Sequence, residues 1–271
     1  MDIWGYGFFL RAMAAGVLCG FACPLVGVFL VARRYSFLAD ALAHIALTGV
    51  ALGLILSVSP HVVTLVVVVV AAFTVEWLRQ RQRFHADAVL ATVMAGGLSL
   101  GVILVSKSRG FGADLTGYLF GSLLTISPTD LRVITLLVAF VATVVFLFYR
   151  HLFVIAIDEE YARAAGLKVT FVNAAFIVVA ALTVGVAIRA VGVLLTGALV
   201  VIPVLIAMQV NRSFCGTVAT AIAAGTGMAL GGLHIAYFLD LPPGPAVVLL
   251  GIALLAGIVT GQQVYKTLNK S

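Results

Sequence analysis

Residues 37–53 read FLADALAHIALTGVALG, a run of Leu, Ala, Val and Gly apolar enough to lie in hydrocarbon. Within it stand Asp40 and His44, spaced i, i+4 and so on one face of a helix. An ionised aspartate inside a bilayer costs about 2.5–3.5 kcal/mol on insertion scales, so such a residue usually faces a bundle interior or a watery path. What the acid and the imidazole do there follows from the kind of chain that carries them.

The 271 residues are 63% hydrophobic and only 10% charged, with a mean hydropathy of +1.22. Soluble domains carry about 25% charged residues, so the composition belongs to a membrane protein. The net charge of +6 then speaks of loop topology rather than of nucleic acid. Cys19, Cys23 and Cys215 all sit in apolar runs. Cys19 and Cys23 share a helix face, but no His or further Cys clusters beside them, and they read as small packing residues. The N-terminal MDIWGYGFFLRAMAAG has no basic n-region and no plain cleavage site, and reads as mature protein.

A bilayer-spanning helix needs roughly 20 mostly apolar residues. Nine runs qualify: 8–32, 38–57, 61–79, 87–106, 130–149, 170–188, 191–210, 214–238 and 245–263. The expected fold is an all-α polytopic membrane protein of about nine spans, within a range of eight to ten. No aqueous domain fits between the spans, so residues 1–271 form a single transmembrane domain. If the spans alternate, eleven Lys and Arg fall on one side, in the connections holding Arg33/Arg34, Arg79/Arg81/Arg83, Arg150/Arg163/Lys168, Arg212 and Lys266/Lys270. Five fall on the other: Arg11, Lys107, Arg109, Arg132 and Arg189. The positive-inside rule then puts the N-terminus outside and the C-terminus in the cytoplasm.

Two pieces do not span. Residues 112–125 are short and semi-polar, and read as a surface or re-entrant helix on the outer side. Residues 158–167, DEEYARAAGL, read as a short charged helix in the long cytoplasmic connection, with acids at its start and Gly166 at its end. Residue chemistry alone fits a solvated loop there equally well. The 27 glycines suit close helix packing in lipid.

Carboxylate and imidazole are both ligands for zinc, manganese and iron, and a metal's charge offsets the cost of a buried acid. The alternatives for Asp40 and His44 are a hydrogen-bonded pair stapling two helices, or an aspartate capping the helix start near Arg33 and Arg34. Two ligands are too few for tight structural binding and suit a way station that releases its ion. His61 and His234 lie toward the outer side, where a low-affinity entrance or simple hydration would account for them. His85 and His151 stand beside basic loop residues, and Glu76 reads as an interfacial carboxylate beside Arg79. The chain has no G-x-x-x-x-G-K-[ST] phosphate loop, no H-E-x-x-H and no G-x-S-x-G, so neither ATP binding of that kind nor intramembrane hydrolysis has support.

Five stretches, in order, resemble the membrane subunits of the ABC importers for zinc, manganese and iron(II). They are VGVFLVARRYSFLADALAHIALTGVALG (26–53), GYLFGSLLTISPTDL (117–131), IDEEYARAAGL (157–167), RAVGVLLTGALVVIPVLIA (189–207) and LPPGPAVVLLG (241–251). The resemblance implies the permease fold of the metal and cobalamin importers, in a bacterial cytoplasmic membrane. It implies two copies of the chain forming a path, a separate cytoplasmic ATP-binding subunit that hydrolyses ATP, and an extracytoplasmic metal-binding protein that delivers the ion. Surrounding lipid completes the set of partners, with no nucleic acid and no cofactor bound by this chain. Asp40 and His44 match the Asp and His of the family's D-A-x-x-H element, the transient metal ligands of the translocation path. The segment Asp158, Glu159, Glu160, Tyr161, Arg163, Ala164, Gly166 and Leu167 matches the helix that couples to the ATPase. Ala43, Thr48 and Pro243 depart from the family's usual residues, which bears on metal preference and local helix geometry. A proton-coupled secondary transporter using Asp40 and His44 as a relay, a metal-chelate importer and a non-transporting scaffold are the rival readings.

Overall fold

The computed structural model describes residues 7–80, 86–107, 121 and 126–268, without the side chains of 79, 80, 86, 87 and 268. Nine helices account for nearly all of them: α1 (Gly7–Ala32), α2 (Leu38–Ile55), α3 (Pro60–Gln80), α4 (Ala86–Lys107), α5 (Pro128–Ile157), α6 (Glu159–Ala164), α7 (Val169–Val210), α8 (Phe214–Phe238) and α9 (Pro243–Leu268). Eight of these are long and apolar enough to cross a membrane, all but the six-residue α6.

At 1.5 Å per residue a straight helix of α7's 42 residues would be about 63 Å long, roughly twice the hydrocarbon thickness. It is not straight. Its backbone leaves helical geometry at Gly192, with φ 82° and ψ 169°, a conformation open to glycine and strained for other residues. Phe176 near its start and Phe214 just past its end both lie on the ring of Phe29, with centroids 5.9 and 5.3 Å away. Both ends of α7 therefore reach the same end of the bundle, and the chain turns back at Gly192. These are the spans expected at 170–188 and 191–210, joined without a loop. The described residues thus make nine crossings.

The same kind of contact separates the bundle's two ends. At one end Tyr149 and Phe214 meet Phe29, Phe153 packs on both of those rings in turn, and Arg33 donates to Oδ1 of Asn173 at 2.9 Å. At the other end Arg11 donates from Nε to the carbonyl of Ile126 at 2.9 Å, and Arg189 pairs with Asp130. Phe9 meets His234 and Tyr237 there as well. The split of Arg residues read from the sequence is the split observed for those described.

Burial concentrates in α1, α2 and α7, the helices wrapped by the rest. The outer helices α3, α4, α5 and α9 present large apolar side chains outward, such as Val70, Ile103, Leu136, Leu147 and Leu249, as a lipid-facing surface requires. α5 runs eight residues beyond the expected end at 149. Arg150 and His151 sit on its exposed side while Leu152 and Ile155 stay in the core, so the helix continues past the charges. The surface or re-entrant helix expected at 112–125 lies outside the described residues except for Gly121, whose backbone is against Val191 and Gly192.

Helix starts follow side-chain chemistry. Ser127 caps α5 in a reciprocal capping box with Asp130, followed by Pro128 in the first turn. Asp158 ends α5 and also caps α6, accepting from the Tyr161 amide at 2.9 Å. α6 carries the ion pair Glu159–Arg163 at 2.7 Å, and Gly166 with φ 80° follows its end. The helix expected over 158–167 is thus present, shorter by its flanking residues.

Candidate functional site

α2 is packed on by α3, α4 and α7, which makes it the central helix of the site. Its neighbours come close because glycines line the seams. Gly97 of α4 meets Ile45, and Gly49 and Gly53 of α2 meet the backbone of Thr64 and Pro60. Thr48 donates to the carbonyl of Gly97 at 2.8 Å, so this departure from the family's residues is a satisfied hydroxyl tying α2 to α4. Ala43 is fully buried and Pro243 starts α9, a position that needs no amide donor. None of the three departures distorts its helix.

From Leu38 to Ala51 every residue of α2 is buried except two, Asp40 and His44, which are half-buried. The one opening on this stretch of the helix is therefore lined by its two ligand-type side chains. Neither alternative structural role is found. The helix start at Phe37 has no side-chain cap, and Asp40 and His44 do not bond one another. Nδ1 of His44 is shut off from solvent and has no hydrogen-bond partner among the described residues. An imidazole and a carboxylate one helical turn apart are both groups able to ligate a divalent metal. Asp40 also sits in the first turn of α2, where the helix dipole favours negative charge. Among the described residues no group of three or more His, Cys, Asp and Glu comes together, so one chain offers this opening at most a pair of such ligands.

The remaining candidates have other surroundings. Nδ1 of His234 lies 3.1 Å from the Leu230 carbonyl and its ring is edge-on to Phe9, which accounts for it as a packed residue. His61 and His151 are exposed, and His85 lies outside the described residues. Glu76 lies near the inner end of α3, as read from the sequence, but is covered by protein, with 5% of its surface exposed. It lines a cleft with Arg33, Arg34, Tyr35 and Glu159, beside α6. Cys19 and Cys23 are buried in the core as expected. In α6 and the turn after it, Tyr161, Glu160, Arg163 and Ala164 are exposed, Glu159 and Leu167 are half-buried, and Ala162 is fully buried against the chain's own core. Sequence reasoning passed over Gly192, Gly197 and the Asp130–Arg189 pair, because each acts through a partner distant in sequence.

An all-helical bundle whose described residues include eight helices long and apolar enough to cross a membrane is the architecture of a polytopic membrane protein. The chain belongs to the ABC 3 transport family, whose profile matches residues 5–261. It is 32% identical over 238 residues to the high-affinity zinc uptake system membrane protein ZnuB of Haemophilus influenzae, covering 88% of this chain and 91% of that one. It is 27% identical over 255 residues to the manganese transport system membrane protein MntC of Halalkalibacterium halodurans, covering 94% and 87%. Among solved structures it matches PsaBC from Streptococcus pneumoniae in complex with Fab, with a TM-score of 0.85 and 25% identity over 94% of this chain and 92% of that one. The chain is thus the multi-pass membrane subunit of an ABC metal importer.

Proposed function

We propose that two copies of this chain, each acting as one permease domain over residues 1–271, form a path that carries zinc or manganese into the cytoplasm. Asp40 and His44 of each copy serve as transient ligands. The observation that carries this is the opening in α2: Asp40 and His44 alone are uncovered between Leu38 and Ala51, and Nδ1 of His44 has no hydrogen-bond partner among the described residues. Two ligands from one copy and two from its mate reach the four that zinc usually takes, while a lone pair would hold a metal weakly. The named relatives transport zinc in one case and manganese in another, which supports this class of cargo and leaves iron(II) chemically admissible.

The membrane is a bacterial inner membrane, with the end of the bundle holding Arg33, Arg212 and α6 in the cytoplasm and the N-terminus outside. A separate ATP-binding subunit docks on α6 and performs the hydrolysis, and an extracytoplasmic metal-binding protein delivers the ion. Uptake of radiolabelled zinc and manganese by cells carrying Asp40→Ala, His44→Ala or both tests the central point. Each single variant should abolish uptake while the protein still inserts and assembles, and Asp40→Asn, which keeps shape but loses charge, should be nearly as damaging. Normal uptake by the double variant would remove the pair from the mechanism.

A further inference from the structure

Gly197 stands in the returning half of α7, and the atoms nearest to its bare face all belong to one side chain. A Cβ built on it would lie 3.0 Å from Oδ1 of Asp40 and 3.7 Å from that residue's Cβ and carboxyl carbon. The Asp40 side chain thus occupies the space beside the bare face of Gly197. Gly197 is helical and has no positive φ, so backbone conformation gives no reason for glycine here. A glycine inside a helix is destabilising relative to alanine, and the space taken by the carboxylate is what this one provides.

We propose that Gly197 is a positioning residue of the metal path, which fixes where the Asp40 carboxylate stands and so how it meets an ion. The inference rests on the reading of Asp40 as a ligand. A methyl group at 197 would press on Oδ1 at a distance tighter than ordinary van der Waals contact, and the carboxylate would move by a few tenths of an ångström. Metal ligands misplaced by the loss of supporting groups typically lose roughly 10- to 100-fold in affinity, and a shift this small belongs at the lower end. The displacement also alters the space for the ion, so zinc and manganese should not be affected equally.

The test compares two alanine substitutions in cells carrying the complete transporter, by uptake of radiolabelled zinc and manganese over a concentration range. Gly197→Ala places its methyl 3.0 Å from Asp40, whereas Gly231→Ala meets only Cδ2 of Leu250, also at 3.0 Å. Gly197→Ala should raise KM about tenfold, as expected for a disturbed ligand, and change the ratio of the zinc and manganese KM values. Gly231→Ala should leave both unchanged. KM does not depend on how much protein reaches the membrane, so reduced expression does not blur the result. An unchanged KM and metal ratio in Gly197→Ala would overturn the proposal, as would an equal change in Gly231→Ala. Complete loss of Gly197→Ala protein, with Gly231→Ala present normally, would also overturn it, because a mobile carboxylate could have yielded. If instead Asp40→Ala itself transports normally, it is the ligand reading that fails, and the positioning role falls with it.

Discussion

The guanidinium of Arg189 is paired with the carboxylate of Asp130, across 59 residues of chain and three residues before α7 turns back. Asp130 is at the same time the reciprocal partner in the Ser127 capping box. One carboxylate thus fixes the start of α5 and holds the turn of α7 beside it. Arg189→Gln should keep the capping box and lose the ion pair. Hydrogen bonds to charged groups contribute about 1.5–3 kcal/mol, and partial exposure of this pair puts the expected loss toward the lower figure. A fall in the unfolding temperature of the detergent-solubilised protein should report it, and an unchanged temperature would show that the turn is held by packing alone.

Two glycines with positive φ, Gly166 and Gly192, should respond differently to alanine. At Gly166 nothing lies within 4 Å of a new Cβ, so only backbone strain is added, about 1–2 kcal/mol for the left-handed region. At Gly192 the strain comes in a conformation that side chains resist more strongly, at a point where the backbone of Gly121 is also in contact. Gly166→Ala should be present in the membrane at near-normal levels, while Gly192→Ala should be largely lost. Quantitative immunoblotting of membranes would show it, and equal levels of both would mean that the turn at 192 tolerates a side chain.

The proposed docking of the ATPase on α6 can be tested apart from the stability of the chain, because neighbouring alanines of that helix face different ways. Ala162 is fully buried and Ala164 is exposed. Ala162→Glu should destabilise the permease by placing an unpaired charge in its core. Ala164→Glu should leave the isolated permease as stable as before and weaken assembly with the ATP-binding subunit or uncouple hydrolysis from uptake. Wild-type transport and metal-stimulated ATPase activity in Ala164→Glu would make α6 an ordinary solvated helix.

Orientation can be read at exposed sites on opposite ends of the bundle. In a background lacking Cys19, Cys23 and Cys215, a cysteine replacing Leu239 should react with an impermeant thiol reagent in intact cells, and one replacing Arg212 should react only after permeabilisation. The reverse pattern would turn the molecule over and exclude a cytoplasmic partner at α6.

Long apolar runs bounded by charge are a local signal, and the spans at 8–32, 38–57 and 214–238 were legible to within a residue or two of α1, α2 and α8. So was the pairing of Asp40 with His44 on one face, since i, i+4 spacing is set by the helix alone. What lay beyond the sequence was contact between distant segments. Apolarity does not show that α7 reverses on one residue, or that Gly197 comes to rest on Asp40 157 positions earlier. The burial of Glu76 went unseen for the same reason: its place beside Arg33, Arg34 and Glu159 depends on where the ends of α1, α3 and α6 meet. The end of α5 was missed because Arg150 and His151 looked like a boundary, although a helix can carry charges outward and continue.

Asp158 is at once the last cap of α5 and the first cap of α6. No spare residue lies between the two helices, so that joint has little compliance. On its other side α6 leads into α7 through residues 165–168, a turn closed by the amide of Gly166 on the Arg163 carbonyl at 3.0 Å and that of Leu167 on the Ala162 carbonyl at 3.1 Å. Both flanks of the short helix are therefore tied, one by a shared cap and the other by a closed turn with Leu167 against the core. A helix held on both sides moves with its neighbours, and one of these is the thirty-residue α5, which runs from the shared cap to the far end of the bundle where Asp130 pairs with Arg189.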